Sequence, residues 1–291
     1  MAFEIIKNYI NEPNSVYFIG EIGINHNGDV NLAKKIMKEA KAAGFSAVKF
    51  QKRNPEITTP TKVKNNIRQT PWGEMTYIDY KFKIEFQNSE YDEINKYARE
   101  LDIDWFASCW DEDSLNFISR YDPPCIKIAS ACITNKNLMK EHVKTNKPLI
   151  MSTGMSNLNQ IEKSYNILSE NPLAILHSTS TYPCPPEELN LNMINTFKSL
   201  YPENPIGYSG HESGLSTSIA AAVIGAKIIE RHITIDRALW GTDQAASLGP
   251  EGMRKLIGSV NSVIKSLGDG IKKVYESEQK SITNLRPIDD V

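Results

Sequence analysis

Cysteine is scarce in this chain. Cys109, Cys125, Cys132 and Cys184 are the only four in 291 residues, and no CxxC pair occurs. That excludes a disulfide scaffold and fits inert buried thiols in a reducing compartment. An excess of one charge is also lacking: 33 Lys+Arg against 35 Asp+Glu leave a net charge of −2. This balance argues against a bulk electrostatic partner such as duplex nucleic acid, though not against a local cationic site for a small anion. No apolar run approaches the roughly 20 residues of a membrane-spanning helix, so no membrane partner is expected. The opening MAFEIIKNYINEPNS has no basic flank followed by an apolar core; it is not read as a secretory signal, and a cytoplasmic location is expected. Neither internal repeats nor low-complexity tracts occur.

What is present is a recurring unit. Short β-branched and apolar runs, each followed by a turn and an amphipathic stretch, fall at 16–24, 46–51, 104–110, 125–130, 148–153, 173–179, 205–210 and 226–233. Helical spacing is read over 30–43, 90–101, 112–119, 135–145, 157–169, 187–200, 212–224 and 250–267. Strands that are apolar on both faces and alternate with helices imply a parallel sheet. Eight such units predict a closed (β/α)8 TIM barrel as a single domain, since these barrels run to about 250 residues. An open doubly wound sheet is the competitor, but the first strand–helix turn reads EIGINHNGD rather than GxGxxG. The expected organisation is an N-terminal extension (1–15), the barrel (16–270) and a tail (271–291). One connection, 52–89, is too long for a plain loop, and Tyr77, Tyr80 and Phe82 are read as a lid or as simple loop packing.

Polar residues end nearly every run: Glu21, Lys49 with Gln51, Ser108, Lys127 with Ser130, Ser152 with Thr153, the stretch from His177 to Ser180, Ser209 with His211, and Glu230 with His232. On a barrel these tips converge at one face. Lys49 and Lys127 lie inside apolar strands, where an unpaired ammonium is costly. They are read either as structural ion pairs with Glu21 or Glu230, as a cradle for phosphate and carboxylate, or as a Schiff-base lysine. His211 and His232 end neighbouring strands and can share a divalent cation. Two imidazoles with open positions suit Mn2+, with Mg2+ or Co2+ as alternatives, better than a closed structural zinc. His26 and His177 are weaker candidates, and His142 is read as surface.

The ordered motifs GEIGINHNGD, AVKFQ, KIAS, MSTGM, LHSTSTYPCPPEELNL, GYSGH and ERHITID resemble those of the sialic acid (nonulosonic acid) synthases, over about residues 16–270. The resemblance implies a transferase that condenses phosphoenolpyruvate with an open-chain aldose and releases phosphate by C–O cleavage. It implies Glu21, Lys49 and Lys127 as catalytic residues. Lys49, Ser108, Lys127, Ser130, Ser152, Ser180 and Ser209 would hold phosphoenolpyruvate, Gln51, Tyr182 and Asp243 the sugar, and His211 and His232 the metal. A homodimer is the expected assembly. The alternatives are a Schiff-base aldolase on the same barrel and a non-catalytic barrel that binds sugar or phosphoenolpyruvate.

Three departures from the family pattern bear on the sugar. Cys132 stands where a carboxylate is usual two residues after the KIxS serine. The usual PGPD reads WGTDQAAS, which offers the acceptor pocket a Gln244 amide and a Trp240 ring that is read as a stacking face or as packing only. The family's C-terminal antifreeze-like domain is expected to be missing, since the sequence ends at SITNLRPIDDV.

Overall fold

Strands that are apolar on both faces need cover on both, and closing the sheet on itself inside a ring of helices provides it. The computed structural model describes residues 15–288. In chain order its strands are β1 (Tyr17–Gly23), β2 (Ala47–Lys52), β3 (Ile67–Thr70), β4 (Gly73–Thr76), β5 (Asp104–Cys109), β6 (Ile126–Ile128), β7 (Leu149–Ser152), β8 (Leu173–Ser178), β9 (Ile206–Gly210) and β10 (Ile228–His232). All except β3 and β4 form one closed barrel, with β10 pairing back onto β1, and every barrel pair is parallel. The expected (β/α)8 barrel is therefore the observed fold.

The strand period of two sorts its residues into two cores. Tyr17, Ile19, Ala47, Phe106, Cys125, Ile150, Ala174, Leu176 and Ile228 point inward and plug the barrel. Their sequence neighbours Phe18, Val48, Trp105, Ile126, Leu149, Ile175 and Ile229 belong to the outer core with the helices. Helix Val30–Ala43 shows how that layer is built. Asp29 caps its first turn by accepting from Asn31 N, Ala33, Ile36, Met37 and Ala40 are buried, and Gly44 ends it in the left-handed region at φ +98°.

The same arithmetic corrects His142. On helix Lys136–Lys144 it shares the buried face of Leu138 and Met139, and it is fully buried, with Nδ1 2.8 Å from Leu138 O. A histidine among charged neighbours reads as surface, but it lies four residues from Leu138 and so on the same face.

The long β2–β5 connection is locally ordered: helices Pro55–Thr58 and Thr61–Lys64, the antiparallel hairpin β3–β4, then helix Tyr77–Ile84. Tyr80 is buried in a small cluster with Ile24 and Ile84, against which Tyr77 and Trp240 pack. Phe82 is 45% exposed and takes no part. Of the proposed N-terminal extension, residues 1–14 lie outside the described residues. Between residue 271 and residue 288 the chain is largely exposed and holds a 3-10 turn, Glu276–Glu278, followed by a short α-helix, Gln279–Leu285. Among the described residues no helix is long and apolar enough to cross a membrane.

Candidate active site

Two residues beyond the last inward plug residue of seven barrel strands comes a polar one: Glu21 after Ile19, Lys49 after Ala47, Ser108 after Phe106, Lys127 after Cys125, Ser152 after Ile150, Ser178 after Leu176 and Glu230 after Ile228. The barrel register sets these side by side. Glu21 lies opposite both Lys49 and His232, Ser108 opposite Lys127, and Ser209 opposite both Ser178 and Glu230. They line one cavity of about 220 Å3 at the C-terminal ends of the strands, together with Gln51, Ser130, Ser180, Tyr182 and His211. Every residue expected in the site is thus gathered there except Asp243. A larger cavity of about 850 Å3 opens at the opposite end, beside Ser46, Asp104 and Pro123. It holds none of the converging strand tips, so chemistry is assigned to the smaller cavity.

Two lysines and two carboxylates form its floor. Lys49 Nζ is 2.8 Å from Glu21 Oε2 and 3.7 Å from Glu230 Oε1; Lys127 Nζ is 3.5 Å from Glu230 Oε1 and donates to Ser152 Oγ at 2.6 Å. Ser209 Oγ also donates to Glu230 Oε1, at 3.0 Å. The structural ion pairs therefore exist, and they face the cavity. Burial resists charge on Lys127 and brings its pKa down to about 8 despite Glu230. Burial likewise raises the pKa of Glu21, with Lys49 opposing. For Glu230, burial is outweighed by Lys127 and Lys49, which hold it ionised.

Several polar atoms here have nothing to bind. Ser108 Oγ, Ser178 Oγ and Glu230 Oε2 are buried with no hydrogen-bond partner among the described residues. Each such atom costs about 1–3 kcal/mol when left unpaired, so their convergence marks a ligand position. A second opening lies just past β7. A Cβ added at Gly154 would sit 2.3 Å from Ser180 Oγ and 2.9 Å from Ser130 Oγ, so only glycine leaves both hydroxyls room. Gly154 N itself donates to Ser130 Oγ at 3.0 Å.

The imidazoles stand next to this floor, His232 paired with Glu21 in the strand register and two residues beyond Glu230, with the two ring centroids 5.5 Å apart. His211 Nδ1 lies 2.7 Å from Thr179 O, which can only accept, so Nδ1 carries the proton and Nε2 keeps its lone pair. Burial, then the neighbouring His232, lowers the His211 pKa to about 4. Burial also lowers that of His232, whose Nδ1 has no hydrogen-bond partner and sits 3.7 Å from Asp243 Oδ2. Two neutral imidazoles with available nitrogen donors fit a divalent ion. Among the described residues no cluster of three or more His, Cys, Asp or Glu forms a metal site, so water and substrate would complete the coordination. As the side chains stand, Tyr182 OH, 3.0 Å from His211 Nε2, takes that lone pair, so an ion at His211 requires the hydroxyl to give way.

Other candidates sort differently. His177 faces the outer core, against Phe197 and Tyr208, with Nε2 2.6 Å from Leu189 O. His26 stacks on Phe86 at 3.8 Å. Gln244 is not an acceptor contact: its buried amide bonds Thr234 Oγ1 and Asn25 O. Trp240 packs edge-on against Tyr80 at 5.3 Å and Trp72 at 6.0 Å. Cys132 is buried outside the cavity lining, its thiol pushed up to about 11 by burial, so it is neutral and cannot replace a carboxylate. Sequence reasoning read Glu230 among the converging strand tips and as an ion-pair partner, without a role in the reaction, and passed over Trp110 and Met155, which line the cavity. The parity of Glu230 with Ile228 was the available signal; nothing marked Trp110.

Comparison with known proteins identifies the family and the fold. The chain is 36% identical over 266 residues to the N-acetylneuraminate-9-phosphate synthase of Mus musculus, spanning 90% of this chain and 74% of that one. To the N,N'-diacetyllegionaminic acid synthase of Campylobacter jejuni it is 36% identical over 275 residues, 92% of this chain and 82% of that one. The crystal structure of the N-acetylneuraminic acid (sialic acid) synthetase of Leptospira borgpetersenii, in complex with citrate, superposes with a TM-score of 0.82 at 32% identity, covering 95% of this chain and 94% of that one. Residues 36–272 match the NeuB family, and the chain belongs to it.

Proposed function

We propose that this chain is a synthase that condenses phosphoenolpyruvate with an open-chain aldose to give a 3-deoxy-ulosonic or nonulosonic acid and inorganic phosphate. The observation that carries the reading is one cavity holding two buried lysines, a ring of hydroxyls and a neighbouring pair of neutral imidazoles. The names of its relatives, synthases of nonulosonic acids, support it.

In this reading Lys49 and Lys127, with Ser108, Ser130, Ser152, Ser180 and Ser209, hold the phosphate and carboxylate of phosphoenolpyruvate. Gln51 and Tyr182 face the sugar, with Asp243 behind His232. The C2=C3 π pair of phosphoenolpyruvate bonds to the aldehyde carbon, and the aldehyde oxygen takes up a proton. Water adds at the resulting cationic C2 and loses a proton; the C2–O bond to phosphate then breaks with its electron pair leaving on phosphate, while the C2 hydroxyl gives up its proton to become the ketone. The cations are fixed before the reaction starts, so they stabilise developing charge without reorganising. Glu21, whose pKa is raised by burial, is placed to carry a proton beside Lys49. His211 and His232 would hold a divalent ion, Mn2+ foremost, which would polarise the aldehyde carbonyl.

The test is phosphate release from phosphoenolpyruvate with each of a series of aldoses. Release that requires a sugar supports the reading. A lysine trapped by borohydride with substrate would favour the Schiff-base aldolase instead.

A further inference from the structure

Lys49 and Gln51 stand two residues apart on β2 and both line the active-site cavity; Arg53, two residues further on, does not. It is held behind them. Its guanidinium lies over the Trp110 ring, with Cζ 4.1 Å from the centroid, a favourable placement for a cation on an indole. Its backbone N–H donates to Glu85 Oε1 at 2.9 Å. Among the described residues the guanidinium has one hydrogen-bond partner: Nη2 donates to Gln51 Oε1, while Nη1 is buried without any. Gln51 Nε2 in turn donates to Glu21 Oε1 at 2.6 Å, and Glu21 Oε2 is 2.8 Å from Lys49 Nζ. The Gln51–Glu21 bond is packed against Gly23, at φ +55°, where a Cβ would come 3.1 Å from Glu21 Oε1 and 3.2 Å from Gln51 Nε2.

The order of these partners decides what Gln51 can offer a ligand. A glutamine amide carries an accepting oxygen and a donating nitrogen, and a half-turn about its last torsion exchanges them. Arginine has no acceptor, so the end of Gln51 beside Arg53 must be the oxygen. The nitrogen is then turned to Glu21, where one of its two hydrogens is used. The other has no partner among the described residues. With the oxygen occupied by Arg53, Gln51 is left with an N–H to give and nothing with which to accept.

We propose that Arg53 is a positioning residue that locks the Gln51 amide, so that Gln51 gives the acceptor sugar a hydrogen-bond donor and selects an accepting oxygen on it. This rests on the condensing reading, in which Gln51 faces the sugar, and deepens it. Arg53 lies outside the cavity lining and touches no substrate; it acts through Gln51 alone. Trp110 and Glu85 fix the arginine, the arginine fixes the amide oxygen, and the amide nitrogen follows.

The test is a double-mutant cycle, read with the aldose that releases phosphate fastest. Arg53→Met should lower kcat/KM for that aldose about tenfold, the worth of one hydrogen bond, with the KM for phosphoenolpyruvate within about twofold of wild type. Arg53→Lys, which can still donate to Gln51 Oε1, should recover part of the loss. In a Gln51→Ala background Arg53→Met should cost nothing further, because no amide is left to turn. Gln51→Glu, which keeps an oxygen for Arg53 but has no donor, should lose as much as Gln51→Ala. Full activity in Arg53→Met would overturn the proposal, as would an equal loss in both backgrounds, a rise confined to the KM for phosphoenolpyruvate, or wild-type kcat/KM in Gln51→Glu. The lock itself is read without turnover from the side-chain amide 15N–1H resonances, Gln51 being assigned by their loss in Gln51→Ala. The proton bonded to Glu21 should be shifted and slow to exchange in wild type, lose both features in Arg53→Met and regain them in Arg53→Lys. Unchanged Gln51 resonances in Arg53→Met would overturn the lock. A changed amide in a protein that turns over no sugar would uphold the lock while the condensing reading fails.

Discussion

Arg231 Nη1 lies 3.0 Å from Glu212 Oε1, with both side chains buried. The pair joins the residue after His211 to the residue before His232, on the outer side of the barrel. Nη2 of Arg231 also donates to Glu212 O, and Tyr208, Thr217 and Ser218 donate to the Glu212 carboxylate. Removing one member leaves a buried charge unpaired, at a cost of about 3–5 kcal/mol. Arg231→Met and Glu212→Gln should each lower unfolding stability by that order in denaturant titrations. A loss below about 1 kcal/mol in both would mean that the pair does not brace the two strand ends.

Gly154 tests the serine cradle. An added Cβ must displace the Ser180 and Ser130 hydroxyls, which can rotate away at little cost to the fold. Gly154→Ala should therefore raise the KM for phosphoenolpyruvate about tenfold or more while the melting temperature shifts by only a few degrees. An unchanged KM would remove these serines from the phosphoenolpyruvate site.

Lys127 sets an expected pH dependence. Glu230, Lys49, Glu21 and Ser152 face it, from β10, β2, β1 and β7, and burial brings its pKa to about 8. Below that value the ammonium is present for an anion; above it the charge is lost. Affinity for phosphoenolpyruvate should fall as pH rises through about 8, and binding near pH 8–9 should take up a proton, because the anion favours the charged form. Calorimetry in buffers of different ionisation enthalpy reads that uptake directly. Proton release on binding would contradict the assignment.

The fold was legible because eight apolar runs alternating with helices leave few architectures open. The site was legible because polar residues at buried strand ends have little structural reason to be there. What escaped sequence reading was mostly side-chain direction. His177 and Ser178 both end the same run, yet the period of two sends His177 outward to Phe197 and Ser178 into the cavity. Counting from Leu176 would have separated them. His142 was misread because its charged neighbours outweighed its helical spacing from Leu138. Gln244 was placed at the acceptor pocket, and Trp240 there or in packing, from motif position alone, but Tyr80 beside Trp240 and Asn25 beside Gln244 lie far away in sequence. No local pattern could reveal those contacts. Arg53 likewise looks like an ordinary charge after a strand until Trp110 is brought beneath it.

Chelation probes the imidazole pair. If His211 and His232 hold a divalent ion, His211→Ala and His232→Ala should each lower Mn2+ affinity at least tenfold, read by electron paramagnetic resonance of free Mn2+, with little change in far-ultraviolet circular dichroism. Wild-type affinity in both variants would place the ion elsewhere or nowhere.

The central claim is most directly tested by inorganic phosphate release from phosphoenolpyruvate and Mn2+, with and without EDTA, across N-acetylmannosamine, diacetamido-hexoses, mannose and phosphorylated pentoses and hexoses. The account predicts release that depends on the sugar and disappears with EDTA. Phosphoenolpyruvate binding with no release for any sugar would contradict the synthase reading and favour a non-catalytic barrel, while sugar-dependent release untouched by EDTA would contradict the metal pair at His211 and His232.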